Sequence, residues 1–353
     1  MACDFAKNEL RPQSHHCDEN DSIPESVLQA AWELGMVNAP IPEEYGGVGM
    51  DRSAVTGAIM SEELANGDLS MAMALLSPSL FAYPVMDCGT EAQKKEYLPK
   101  FAEANFLKAT AAVVEPTMNF DLSDLTCKAE KKNGGYVLNG KKCFVPLGTG
   151  ADLFLVYASL GDAGYENAGG FIVEKGAKGL TVSERERNMG IKALDTAELT
   201  LENVEVSAEA RLGGEDGCDF SRLMNCSRIA LSAMAVGVMK SSLDYALAYA
   251  KERVAFGQPI ATKQAVAFML AEMAIEVEAS RNLIWEAAWK LDQGVDALKD
   301  CYLAKMYTDQ VAMKVCDYGV QLLGGHGYIR EHPVELWFRN ARGFVSFEGM
   351  ATV

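Results

Sequence analysis

The stretch Gln321–Gly349 reads QLLGGHGYIREHPVELWFRNARGFVSFEG. A helical run closes on Gly324-Gly325 and a polar loop follows. A short helix through Val334 and Trp337 then brings the chain to Glu348-Gly349. Phe344, Val345 and Phe347 make that last loop apolar. A carboxylate in such a loop reads in two ways. It faces water, or it is buried, where desolvation disfavours the ionised form and makes a better base.

The 353 residues are enough for two or three domains with a large core. Hydrophobic residues make up 49% and charged residues 23%, ordinary proportions for a globular protein. The net charge of −17 argues against nonspecific nucleic-acid binding, which needs a basic surface. Nine cysteines without a C-x-x-C pair read as reduced, mostly buried thiols in a reducing compartment. No run of about 18 apolar residues stands out, so no transmembrane segment is expected. The acidic N-terminus, MACDFAKNELRPQSHHCDEN, does not read as a transit peptide or a signal sequence. Bacterial cytoplasm and mitochondrial matrix both fit.

Residues 1–107 read as an all-α domain. Ile23, Val27, Ala30, Ala31 and Leu34 form a helical stripe, with Ser22 and Glu25 at capping-box spacing. Further helices are expected from about Ser53 through Leu64, from Met71 to Val85, and from Glu91 to Ala104 after Thr90 as N-cap. Residues 108–215 change period. Lys108–Val114, Tyr136–Leu138, Leu153–Ala158, Gly170–Val173, Ala197–Leu201 and Val204–Val206 read as short strands. Asn133-Gly134 and Asn139-Gly140 look like hairpin turns. The pattern predicts a small antiparallel β-barrel or sandwich. Residues 216–353 read as three long helices, Leu223–Arg253, Lys263–Leu291 and Ala297–Leu323. With the short terminal helix they make a four-helix bundle. The fold class is thus α+β. The 17 methionines read as core filler.

Two local patterns are ambiguous by themselves. Glu252-Arg253-Val-Ala-Phe256-Gly257 is a helix C-terminus with a basic last turn and a glycine stop. Asn225-Cys226-Ser227-Arg228 near the start of a long helix reads as a surface arginine or as part of a site.

Taken together, these stretches resemble the acyl-CoA dehydrogenase family. Ile41-Pro-Glu-Glu-Tyr-Gly-Gly47 and Gly89-Thr-Glu-Ala-Gln93 with Tyr97-Leu-Pro99 are similar to its N-terminal connections. Met189-Gly190, Asp195-Thr196 and Val204-Glu-Val206 resemble its middle domain. The resemblance implies FAD as cofactor and an acyl-CoA as substrate. Arg253 and Phe256 of E-R-x-x-F-G, Gln264, and Gln321, Gly324 and Gly325 of Q-x-x-G-G would bind FAD. In the family these two elements come from different subunits, which implies at least a homodimer, typically a dimer of dimers. Glu348 of the E-G-T loop would be the catalytic base, with Gly349 beside the thioester. Asn225, Ser227 and Arg228 would bind substrate, Arg228 also supporting the base. Some subfamilies carry their base on this helix. Ser227 holds that position, leaving Glu348 as the candidate. Electrons would pass to an electron-transfer flavoprotein.

The sequence also departs from the family at the flavin ring. Where T-E-P-G-x-G-S-D is usual, the chain reads Val114-Glu-Pro-Thr-Met-Asn-Phe120-Asp121. Where W-I-T is usual, it reads Phe144-Val-Pro146. The aromatic cofactor-binding position is kept as Phe144. Val114 and Pro146 cannot supply side-chain hydroxyls, so FAD binding is expected to be weakened or remodelled. Glu348-Gly349 is followed by Met350-Ala-Thr-Val353 rather than a closing helix, and both termini look trimmed. These departures leave three expectations open. One is an acyl-CoA dehydrogenase with an altered pocket. Another is an inactive paralogue serving as a subunit or assembly factor of a larger complex. The third is one partner of a hetero-oligomeric dehydrogenase.

Overall fold

The computed structural model describes residues 1–353. The N-terminal domain opens on consecutive helical turns, α1 (Ala2–Phe5), Ala6–Leu10, Arg11–Gln13 and α2 (Ser14–Glu19). It continues through α3 (Glu25–Glu33), α4 (Ala54–Gly67), α5 (Leu69–Leu76), α6 (Ser79–Cys88) and α7 (Glu91–Tyr97). The α3 stripe buries Val27, Leu28, Ala31 and Trp32, as its period predicts. Ser22 does not cap it: the helix starts after Pro24, whose fixed φ suits the entry. Thr90 does cap α7, forming a capping box with Gln93.

The expected single helix over Met71–Val85 is two, parted at Ser77-Pro78, where proline removes a backbone donor. This region also corrects the expectation about apolar runs. Leu69–Cys88 is long and apolar enough to cross a membrane, with a mean hydropathy of 1.5, but 94% of it is buried inside the protein. It is the core of the helical domain.

The middle domain is one curled sheet. Its strands are β1 (Ala109–Ala112), β2 (Lys128–Lys132), β3 (Gly135–Pro146), β4 (Leu153–Ser159), β5 (Ala168–Glu174), β6 (Leu180–Arg185) and β7 (Thr196–Ser207). The order is β1-β4-β2-β3-β7-β6, with β5 on β4. Most pairings are antiparallel, and β4 pairs in parallel with both β1 and β2. Asn133-Gly134 turns between β2 and β3, both residues with positive φ. Asn139-Gly140 is not a turn: it lies inside β3, where the register against β7 slips by a bulge. The two strands expected around Ala197–Val206 are one, β7, which continues through Asn203 at φ 54°.

In the C-terminal domain α8 (Phe220–Glu252), α9 (Gln264–Asp292) and α10 (Leu298–Leu323) are the long helices. A two-stranded hairpin, β8 (Val254–Ala255) and β9 (Gln258–Pro259), joins α8 to α9. One turn, α11 (Gly325–Tyr328), and the short α12 (Val334–Ala341) follow. The N- and C-terminal helices share a single apolar core. Gly237 on α8 sets the α4–α8 approach: a Cβ there would lie 2.2 Å from the Glu62 carbonyl. Glu62 on α4 and Arg281 on α9 join the domains by a bidentate ion pair, 2.7 Å at its shortest. None of the nine cysteines is disulfide-bonded: six are buried, two half-buried and Cys3 exposed.

Candidate active site

The turn Phe344–Ser346 delivers Phe347, Glu348 and Gly349 to the junction of the three domains. Phe347 is buried and packs edge-on against Phe144 of β3, with ring centroids 6.4 Å apart. Glu348 is half-buried, and its Oε2 is buried without a hydrogen-bond partner. Its backbone N–H donates to no group of the chain. Gly349 sits at φ 64°, and a Cβ there would come within 2.4 Å of the Val113 side chain. Only glycine meets both demands. A carboxylate oxygen and an N–H left unpaired at one buried loop cost free energy unless something else satisfies them.

Beside this loop lies a small cavity lined by Leu80, Val113, Met224, Ser227 and Gly349, among others. The Ser227 hydroxyl is buried there with no partner. One residue on, Arg228 is buried and donates to Asn225 Oδ1 at 3.0 Å and to the Tyr165 hydroxyl at 2.9 Å. Its guanidinium also lies near the Tyr302 ring. The surface reading of Arg228 is thereby overturned. Tyr165 was not legible as a partner, because it stands in a polar, glycine-containing loop without periodicity. Nearby, Asp121 is held below the usual carboxylate range by the Ser123 backbone and hydroxyl donors, with help from Arg228.

The strands facing the loop are tied by Cys143 N–H to the Val114 carbonyl at 2.9 Å. Val114 and Pro146 are buried, Phe120 is half-buried, and none offers a donor on its side chain. The Phe144 N–H is engaged by the Glu186 carboxylate at 3.2 Å. This wall is therefore largely apolar.

A second group of predicted residues gathers elsewhere, at the far end of α8. Arg253 and Phe256 lie on the β8–β9 hairpin; Arg253 is exposed and the Phe256 ring is 95% exposed. Gln264, Gln321, Gly324 and Gly325 are exposed as well. The hairpin and the glycine turn are linked within one chain, for the Tyr249 hydroxyl on the last turns of α8 bonds His326 Nδ1 at 2.8 Å. Nothing fills the space a Cβ would take at Gly324 or Gly325. An unpaired arginine fork, an open ring face and a bare backbone turn suit the diphosphate and adenine of a dinucleotide. So the residues present fit the ADP half of FAD, while the apolar wall at Val114 and Pro146 offers its ring few donors. Ser227 and Gly349 thus meet at the cavity beside Glu348, Arg228 bonds Asn225 and Tyr165 rather than Glu348, and the other group forms the outer edge.

The three-domain arrangement and this buried glutamate loop define an acyl-CoA dehydrogenase fold. Residues 1–105, 110–204 and 219–353 match the N-terminal, middle and C-terminal domains of acyl-CoA dehydrogenases. An acyl-CoA dehydrogenase of Bacillus subtilis (strain 168) is 36% identical over 354 residues, covering 99% of this chain and 92% of that protein. The solved butyryl-CoA dehydrogenase of Megasphaera elsdenii superposes with a TM-score of 0.89 at 33% identity, over 99% of this chain and 92% of that one. The FAD complex of PigA gives a TM-score of 0.89 at 27% identity, over 98% and 91%. The chain belongs to the acyl-CoA dehydrogenase family of FAD-dependent oxidoreductases.

Proposed function

We propose that this protein removes the α and β hydrogens of an acyl-CoA thioester and passes the electrons to an electron-transfer flavoprotein. The observation that carries it is Glu348: a buried carboxylate oxygen and a backbone N–H, both unpaired, on one loop beside an apolar cavity. Glu348 takes the α-proton. Its N–H donates to the thioester carbonyl oxygen, an electrostatic contribution of about 3 kcal/mol in comparable sites. Gly349 lets the thioester pass close to the backbone. Arg228, with Asn225, shapes the substrate side, and Ser227 offers an unused hydroxyl. FAD, when bound, supplies the hydride acceptor for the β-hydrogen. Arg253, Phe256, Gln264, Gln321, Gly324 and Gly325 would hold its ADP half, and Phe144 would border the ring. Their exposure in one chain supports a homodimer or homotetramer in which a second copy completes the FAD site. The bacterial relatives favour the bacterial cytoplasm over the mitochondrial matrix.

The test is the absorbance of the purified protein through the flavin region. A flavin spectrum that bleaches on adding butyryl-CoA or a longer acyl-CoA supports the reading. A colourless protein that takes up no added FAD overturns it. That outcome favours the subunit or assembly-factor reading, which draws on Val114 and Pro146. Arg253→Ala should weaken FAD retention about 10- to 100-fold, the worth of charged hydrogen bonds to a diphosphate. The flavin-to-protein ratio after gel filtration measures it.

A further inference from the structure

Lys305 and Asp309 lie one turn apart on α10, beneath the Glu348 loop, and both are buried. Lys305 Nζ donates to Asp309 Oδ2 at 2.6 Å and to the Phe344 carbonyl at 2.8 Å. Phe344 opens the turn that carries Glu348. Asp309 Oδ1 is buried and accepts no hydrogen bond, as is true of Glu348 Oε2. One ammonium therefore ties the Asp309 carboxyl to the backbone of the turn that carries Glu348. A buried ammonium needs a counter-charge to stay in place, and Asp309 supplies it.

We propose that Asp309 is a positioning residue for the base: by its charge it holds Lys305 against the turn that carries Glu348. The proposal rests on the reading of Glu348 as base. Burial pushes the Asp309 carboxyl up to about 7, with Lys305 pulling it down and the Glu348 charge pushing it further up. Other charged groups on the packed helices are committed elsewhere. Arg228 on α8 holds Asn225 and Tyr165, Arg281 on α9 holds Glu62, and Arg339 on α12 holds Asp18 and Glu335.

The sign follows. Below about 7, Asp309 keeps its proton, Lys305 loses its counter-charge, and its hold on the Phe344 carbonyl loosens. Above that, the Asp309 carboxylate holds Lys305 and so fixes the turn that carries Glu348. Flavin reduction should therefore climb through neutral pH by roughly fivefold, as the turn that carries the base is brought into place.

The experiment compares wild type with Asp309→Asn, which keeps an oxygen for Lys305 and cannot ionise. Pre-steady-state reduction by butyryl-CoA is followed across pH. In parallel, carboxyl signals of protein labelled with carbon-13 in Asp and Glu are titrated. The expected result is an inflection near neutrality in wild type that the variant loses. The Glu348 signal should also shift with the Asp309 titration in wild type. A wild type that bleaches with no such inflection overturns the proposal, as does a variant that retains it. The wild-type profile decides alone if the variant does not fold. If butyryl-CoA reduces no flavin, the base reading is at fault, and the carboxyl titration still decides. A Glu348 signal that tracks Asp309 supports the coupling, and one that titrates independently overturns it.

Discussion

Glu348→Gln should leave a protein that folds, binds FAD as wild type does, and reduces it by acyl-CoA about 10²- to 10⁴-fold more slowly. Glutamine fills the same volume and leaves the backbone N–H and the Gly349 turn in place. What it removes is the capacity to take a proton. The Phe344–Phe347 and Phe144–Phe347 edge contacts hold the loop whatever stands at 348, so the change should be confined to chemistry. Rapid mixing of the flavin-loaded variant with butyryl-CoA measures it. Equal rates in variant and wild type would remove Glu348 from the mechanism. The search for the base would then turn to Asp309, the buried carboxyl beneath the same loop.

That Glu348 could be singled out from sequence, while Asp309 could not, shows what one-dimensional reading reaches. Glu348 sits in a stretch of odd composition that follows a glycine turn; its spacing fits a water-facing carboxylate as well, and it is the resemblance that singles it out. Lys305 and Asp309 are an i,i+4 pair, which on most helices is a solvated ornament. Only folding shows that this face of α10 is inward. The long amphipathic helices were legible to within a few residues at their ends because their apolar stripes repeat at the helical period. Strands β2 and β6 were missed for the opposite reason. KAEKK buries only Ala129, and LTVSER is nowhere fully buried, so neither stands out as apolar. The bulge at Gly140 and the positive φ of Asn203 mimicked turns because the same residue types serve both purposes.

Lys142→Met should destabilise the protein by about 3–5 kcal/mol, the usual cost of stripping one partner from a buried ion pair. Lys142 and Glu115 both have fully buried side chains and meet at 2.8 Å. Lys142 Nζ also donates to the Val113 carbonyl at 2.9 Å. Glu115 further accepts from the Thr126 N–H and hydroxyl at 2.6 Å and from the Cys127 N–H at 2.9 Å. Burial alone would push the Glu115 carboxyl up. Lys142, then Thr126 and Cys127, outweigh it and leave it below its ordinary value. The sign is that of a depressed carboxylate: its contribution to stability is complete above the unfolded-state value and fades as pH falls through the folded one. Methionine fills the lysine's space but leaves Glu115 charged in an apolar setting, and three neutral donors do not replace an ammonium. The double variant Glu115→Gln with Lys142→Met should recover much of the loss, since it removes the buried charge itself. Urea unfolding of wild type, Lys142→Met and the double variant measures this directly. A functional consequence follows from geometry, because the clamp fixes Val113, whose side chain lies where any Cβ at Gly349 would point. Lys142→Met should therefore slow flavin reduction even at temperatures where the fold persists. A variant as active as wild type yet several kcal/mol less stable would show that the clamp serves the sheet and not the base.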